Sequence, residues 1–347
     1  MAASAPWPLT EPLMASGPGP AGVATRATGE GDDPAQAPRR WSRRRILIAG
    51  AGGMAALAAG GALGLDLVSR GVLPGQQELD RIDGACSASG RPFRVGGTGT
   101  ARSGTFFSEA RHRQVGYTVA WPPGHGPGSA LPLVVMLHGE GGNHANALSG
   151  LRPAQAVALE VQGRPLPPMG LVTVDGGTGY WNPHPGDDPM AMVAHELIPM
   201  CRRLGLGRGH RRVGTMGISM GGYGAIILAE KYPDVIGAVA AISPAIWTTY
   251  GQARSVNTGA YASAADFRAD DAVTHAGALA DTPVRVASGL DDPFHSGVVA
   301  LAAALPSSAV VEFSQGCHTG DFFNAQEPAS LAFLGAHLQA SDTPGTT

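Results

Sequence analysis

The chain has 347 residues, 44% hydrophobic and 15% charged, enough apolar material for one large domain or two small ones with a substantial core. Its formal net charge of −3, from 24 basic and 27 acidic residues, is the opposite of what a phosphate-binding surface needs, so nucleic acid is not an expected partner. Three cysteines, Cys86, Cys201 and Cys317, are an odd number, which excludes a complete internal disulfide framework and leaves room for one bridge between an unspecified pair.

Residues 1–45 are rich in Ala, Pro and Gly, show no apolar periodicity, and read as a disordered arm. The arm ends in Ser42-Arg43-Arg44-Arg45, directly before an uncharged run from Ile46 to Leu65. An arginine pair followed by a Gly- and Ala-rich apolar stretch has the form of a twin-arginine export signal, here placed at 46–68. The same run is long enough to span a bilayer as an uncleaved anchor, and Asp66-Leu67-Val68-Ser69-Arg70 is a poor cleavage site. Export to the cell envelope, either anchored or secreted, is therefore expected. Residues 69–99 read as a linker and 100–340 as the folded body.

From about residue 100 short apolar runs alternate with helical stretches, the pattern of an α/β domain with a mostly parallel sheet and helices on both faces. Val115 to Ala120 is an early strand, expected to be antiparallel to the rest. Further strands are expected at Leu133–Leu137, Leu171–Val174, Arg212–Ile218, Val235–Ile242, Val284–Ala287 and Ala309–Phe313, with helices around 188–204, 221–232, 296–304 and 326–338. Gly and polar residues gather after the strands, at the carboxyl edge where open α/β sheets bind ligands. Residues 245–282 have no strand pattern and are expected to cover that edge.

Gly217-Ile218-Ser219-Met220-Gly221 fits G-x-S-x-G between a strand and a helix. Small flanking residues permit a sharp strand-to-helix turn that pushes the hydroxyl of Ser219 out of the sheet, at the positive end of the next helix. A serine hydroxyl needs a base, and on this kind of turn the partners follow in the chain order Ser, acid, His. Asp292, just past the strand ending in Gly289, is the preferred acid. Asp291 is its nearest rival, and Asp281 falls at the wrong end of the strand. Of the histidines that follow, His318 lies in the loop after the last strand, flanked by Gly316 and Gly320. His295 is too near the acid, and His337 falls in the last helix. An oxyanion needs two amide donors. These are expected from Met220 and from Glu140 in His138-Gly139-Glu140-Gly141-Gly142, with His138 in a structural role. Tyr180, Trp181 and Trp247 are candidates to line an apolar acyl pocket.

Several of these pieces together resemble the esterase D family of α/β-hydrolases, which includes S-formylglutathione hydrolases and mycolyltransferases. The matching segments are Gly217 to Ala225, Tyr232-Pro233-Asp234, Ser243-Pro244, Gly289 to Phe294, and His318. Gly177-Thr178-Gly179-Tyr180-Trp181 is similar to that family's loop near the substrate. The resemblance covers roughly residues 100–340 and implies an α/β-hydrolase fold with nucleophile, acid and base at Ser219, Asp292 and His318. His138-Gly139-Glu140 departs from the mycolyltransferases towards general esterases, and Cys317 beside the base is a second departure.

The function expected is hydrolysis of a small-molecule or lipid carboxylic ester through an acyl-enzyme on Ser219. The alternatives are an acyltransferase using the same intermediate and a non-catalytic binding protein of the same fold. His184, Asp187, Asp188 and His195 lie close in sequence, but their spacing matches no standard metal motif. No metal or cofactor is expected.

Overall fold

The computed structural model of the protein describes residues 86–340. The arm, the twin-arginine and apolar segments, and the linker up to residue 85 lie outside them. Among the described residues no helix is long and apolar enough to cross a membrane.

The strands are β1 Phe93–Val95, β2 Thr100–Ser108, β3 Arg113–Trp121, β4 Leu133–Leu137, β5 Leu159–Val161, β6 Arg164–Pro165, β7 Gly170–Val174, β8 Val213–Ile218, β9 Ile236–Ile242, β10 Val284–Gly289 and β11 Val310–Ser314. Eight of them form one sheet in the order β11-β10-β9-β8-β4-β7-β3-β2. The β2–β3 hairpin and the β3–β7 pair are antiparallel, and every other pairing in that sheet is parallel. The middle strands are apolar on both faces because helices cover both faces. Side chains alternate across β4: Leu133, Val135 and Leu137 enter one core cluster, and Val134 and Met136 enter the other.

The helices are α1 Pro153–Ala156, α2, α3 Met220–Lys231, α4 Tyr250–Val256, α5 Ala264–Ala269, α6 Ala272–His275, α7 His295–Ala304 and α8 Gly320–Ala340. Helix α2 is a continuous run of Pro189–Ala191, a π-helical Met192–Leu197 and Ile198–Arg203. On one face α2, α3 and α7 pack Leu197, Ile226 and Leu301 on the sheet, and on the other α8 packs Leu331, Leu334 and Leu338. This is the α/β layer order expected from the alternation of runs.

The folded body begins earlier than residue 100. β1 pairs with β5 in a separate small sheet with β6, and Cys86 is bonded to Cys317 across 231 residues. The second half of the segment read as a linker is thus fastened to the body. Of the three thiols, only Cys201 is free; it is buried in α2, and burial pushes it up to about 12.

Candidate active site

β8 ends at Ile218, and α3 begins two residues later at Met220. Between them Ser219 sits at φ 56° and ψ −121°, a conformation that costs a non-glycine residue of order 1–3 kcal/mol. The surrounding glycines are steric requirements. A Cβ on Gly217 would lie 2.0 Å from the Gly221 carbonyl oxygen, and one on Gly221 would lie 2.1 Å from that of Leu137. The turn is held by Ser219 N–H donating to Ile242 O at 2.9 Å and by Ala245 N–H donating to Ser219 O at 3.0 Å.

The Ser219 hydroxyl lies 2.8 Å from His318 Nε2. His318 Nδ1 lies 2.9 Å from Asp292 Oδ2, and Phe294 N–H donates to Asp292 Oδ1 at 2.8 Å. A carboxylate only accepts, so Nδ1 carries the imidazole proton and Nε2 is left to accept from the serine. The Asp292 side chain is fully buried and that of His318 is 16% exposed. The imidazole is packed between Phe294 and Phe323, with ring centroids 5.1 and 5.0 Å away. The structure therefore brings together three residues that lie as far as 99 positions apart. It also separates their rivals. Asp291 is exposed, His295 stacks on Phe313, and His337 Nδ1 bonds to Phe333 O.

The loop after β4 approaches the serine, since a Cβ on Gly139 would lie 3.6 Å from that of Ser219. Its backbone is fixed from beneath. His138 Nδ1–H donates to Gly139 O at 2.7 Å, and its Nε2 accepts Gly176 N–H at 2.9 Å. Burial pushes the His138 imidazole below its usual range, consistent with this neutral form. Further along, Asp175 takes the backbone N–H and the ring of His144 at 2.7 and 2.8 Å, and Gly116 N–H at 3.0 Å. Burial works to raise the Asp175 carboxyl, but these bonds outweigh it and hold the group below its usual range. Glu140 directly follows Gly139 in this loop, and Met220 directly follows the serine in the first turn of α3, where backbone donors lack intrahelical acceptors.

These groups open into a cleft of about 710 Å³ whose walls include Leu148, Tyr180, Trp247, Val256, Phe294 and Phe323. Tyr180 and Trp247 are among its lining residues, and burial raises the Tyr180 phenol. Trp181 is not. It is fully buried, wedged between Gly176 and Gly224, and its indole N–H donates to His138 O at 3.2 Å. Left-handed backbone at both Tyr180 and Trp181 turns the second ring inward, beneath the loop rather than into the cleft. The covering segment supplies Trp247 and Val256, and its Asn257 amide donates to Glu140 Oε1 at 2.8 Å and to Thr178 O at 3.2 Å. Leu148, Val256, Phe323 and Asn257 carried no local signal in the sequence. Phe294, two residues after the acid, was within reach of the turn pattern.

The acidic and histidine residues near 190 have structural partners. Asp187 binds Arg111, Asp188 caps α2 through Ala191 N–H, His184 bonds Gly179 O and His195 stacks on Tyr232. Among the described residues no group of His, Cys, Asp and Glu is arranged to hold a metal ion.

Residues 108–296 match the family model described as "Putative esterase". No curated protein matches the chain. Among solved structures, an S-formylglutathione hydrolase from Agrobacterium tumefaciens superposes with a TM-score of 0.55 at 18% identity, covering 72% of this chain and 98% of that one. A ferulic acid esterase gives 0.54 at 17% identity, over 69% and 98% of the two chains. The fluorophosphonate-binding serine hydrolase F of Staphylococcus aureus gives 0.53 at 14%, over 69% and 99%. At these identities the likeness is one of fold.

Proposed function

The chain belongs to the Esterase family, and from that premise we propose that it cleaves carboxylic esters through an acyl-enzyme on Ser219, with His318 as base and Asp292 as the acid that orients it. The observation that carries this reading is the unbroken line Ser219–His318–Asp292, with contacts of 2.8 and 2.9 Å on a strained strand-to-helix turn.

The steps follow from that line. As Ser219 Oγ attacks the ester carbonyl, His318 Nε2 takes its proton, and Asp292 stabilises the imidazolium that forms. The negative charge on the carbonyl oxygen is met by the amides of Met220 and Glu140, which are preorganised and therefore cost little reorganisation. His318 returns the proton to the leaving alcohol. Water, activated by the same imidazole, then releases the acid. The apolar walls suit a hydrophobic acyl group on a small or lipid ester.

Replacing Ser219 by Ala should reduce turnover of short p-nitrophenyl esters by more than about a thousandfold without changing the fold. A fluorophosphonate should label the native protein and leave the variant unlabelled. Retained hydrolysis in the variant would mean that the nucleophile is another residue. Adding a competing alcohol and measuring the ratio of acid to new ester separates a hydrolase from an acyltransferase.

The site of action proposed is outside the cytoplasm, on the twin-arginine pattern at Arg43 and Arg44. The Cys86–Cys317 bridge supports it, because such bridges persist in oxidising compartments.

A further inference from the structure

We propose that the Cys86–Cys317 disulfide is a positioning clamp for His318, so that the enzyme reaches full turnover only when the bridge is closed; this rests on His318 being the catalytic base. Cys317 immediately precedes His318 in the loop between β11 and α8. Glycines bracket the base in that loop. Gly316 stands at φ +147°, which L side chains rarely adopt, and Gly320 follows two residues after the base.

On one flank the loop leans on the end of β10: Leu290 N–H donates to Ser314 O at 2.9 Å and Asp291 N–H to Gly316 O at 3.0 Å. These bonds set the loop against the same turn that carries Asp292. On the other flank the covalent tie is the bridge. Cys317 is fully buried and Cys86 is 9% exposed. The segment containing Cys86 is itself seated on the body. Gly90 packs so closely on α8 that a Cβ there would lie 2.1 Å from Ala325 O, Gln326 Nε2–H donates to Ser89 O at 3.4 Å, and β1 pairs with β5. The clamp therefore has a fixed jaw. Opening it removes the covalent tie on that flank and leaves the loop to the β10 bonds, the Ser149 Oγ–H bond to Gly320 O at 3.0 Å and the packing of Phe323 on the imidazole.

An ordinary disulfide acts mainly by restricting the unfolded chain and would alter stability alone. A clamp on a base alters turnover, because misplacing a catalytic group by about 1 Å costs on the order of a hundredfold in rate. The bridge opens by thiol–disulfide exchange with a dithiol. The dithiol's thiolate attacks Sγ of Cys86, the more exposed residue of the pair, and expels the Cys317 thiolate. The second thiol then closes on the mixed disulfide and releases Cys86. Two electrons and two protons pass to the protein, and the dithiol leaves as a cyclic disulfide.

The test compares the native enzyme, the enzyme reduced with dithiothreitol, and a Cys86→Ala variant, with Cys201→Ala as a control that keeps the bridge. Each is assayed for kcat and KM on a short p-nitrophenyl ester and for the rate of fluorophosphonate labelling at Ser219, well below its melting temperature, with circular dichroism recorded in parallel. The expected result is a kcat and a labelling rate lower by at least about tenfold in the reduced and Cys86→Ala proteins, with KM within about twofold. Reoxidation should restore the native chain and not the variant. Unchanged kcat with a lowered melting temperature overturns the proposal, and so does activity lost only in step with the circular dichroism signal. If Cys86→Ala does not fold, the reduced native chain gives the same comparison. Full hydrolysis by oxidised Ser219→Ala would instead overturn the catalytic assignment on which the clamp depends.

Discussion

Glu327 offers a test in which the magnitude can be worked from the structure. It lies in α8 with no exposed surface, and its Oε1 accepts Ser149 N–H from the loop that forms one wall of the cleft. Oε2 has no hydrogen-bond partner among the described residues. Burial pushes the carboxyl up to about 8 from 4.5, with the Ser149 bond only partly offsetting it. The folded state thus holds this proton more tightly than the unfolded state. The contribution is fully present below about pH 4.5, is lost as pH rises through the window to about 8, and is constant above that. Each pH unit in the window is worth about 1.4 kcal/mol, so going from pH 5 to pH 7 removes about 2–3 kcal/mol. Glu327→Gln keeps a carbonyl for Ser149 N–H and carries no titrating proton. Its stability relative to the native chain, measured by urea unfolding at pH 5, 6, 7 and 8, should therefore rise with pH by about 2–3 kcal/mol between pH 5 and 7. Taking the difference removes other groups with the same trend, notably Glu230, which burial raises to about 9. A difference that stays flat with pH would refute the reasoning, since it would mean that Glu327 is ionised and solvated in the fold.

Three other substitutions probe separate parts of the argument. Gly221→Ala forces a methyl against the carbonyl oxygens of Leu137 and His138, at 2.1 and 2.7 Å, and should cost about 3 kcal/mol or more in chemical unfolding while abolishing ester turnover. Asn257→Ala removes the amide that ties the covering segment to Glu140 and Thr178 O. These are exposed bonds worth about 1 kcal/mol, so kcat/KM should fall about fivefold while the melting temperature scarcely moves. Arg285→Met withdraws a buried guanidinium from Ser330, Gln326 and Glu312. Because Glu312 is 42% exposed and can rehydrate, and Ser330 Oγ–H keeps its bond to Gln326 O, most of the loss comes from the buried Gln326 Oε1 left without a donor, about 1–3 kcal/mol by urea unfolding, and adding Glu312→Gln should recover little of it.

The parts of the fold that were legible in the sequence are those whose burial is complete. β4, β7, β8, β9 and β10 are covered on both faces, so each appears as a largely apolar run, broken in β10 by Arg285, with the expected limits to within about two residues. β2, Thr100–Ser108, was not legible, because it is the sheet's outer strand and most of its residues are exposed. Helix α8 starts at Gly320, ahead of the expected 326, and carries Pro328 within it. Ser219, Asp292 and His318 could be chosen because chain order and the ends of three strands narrow the options to a few residues. Trp181 could not be placed, since its direction depends on two successive left-handed residues that an aromatic pair does not advertise. The Cys86–Cys317 pairing depends on how a distant segment lies along α8, and nothing local to either cysteine specifies it.

Glu140 is the only carboxylate among the described residues that line the cleft. An intact ester arrives without charge and is indifferent to it. Once the ester is split, the acid half becomes an anion in the same cleft as that carboxylate. Like charges sharing a cleft disfavour lingering. The cleft thus has an electrostatic bias towards clearing its own product, and that bias weakens as added salt screens it.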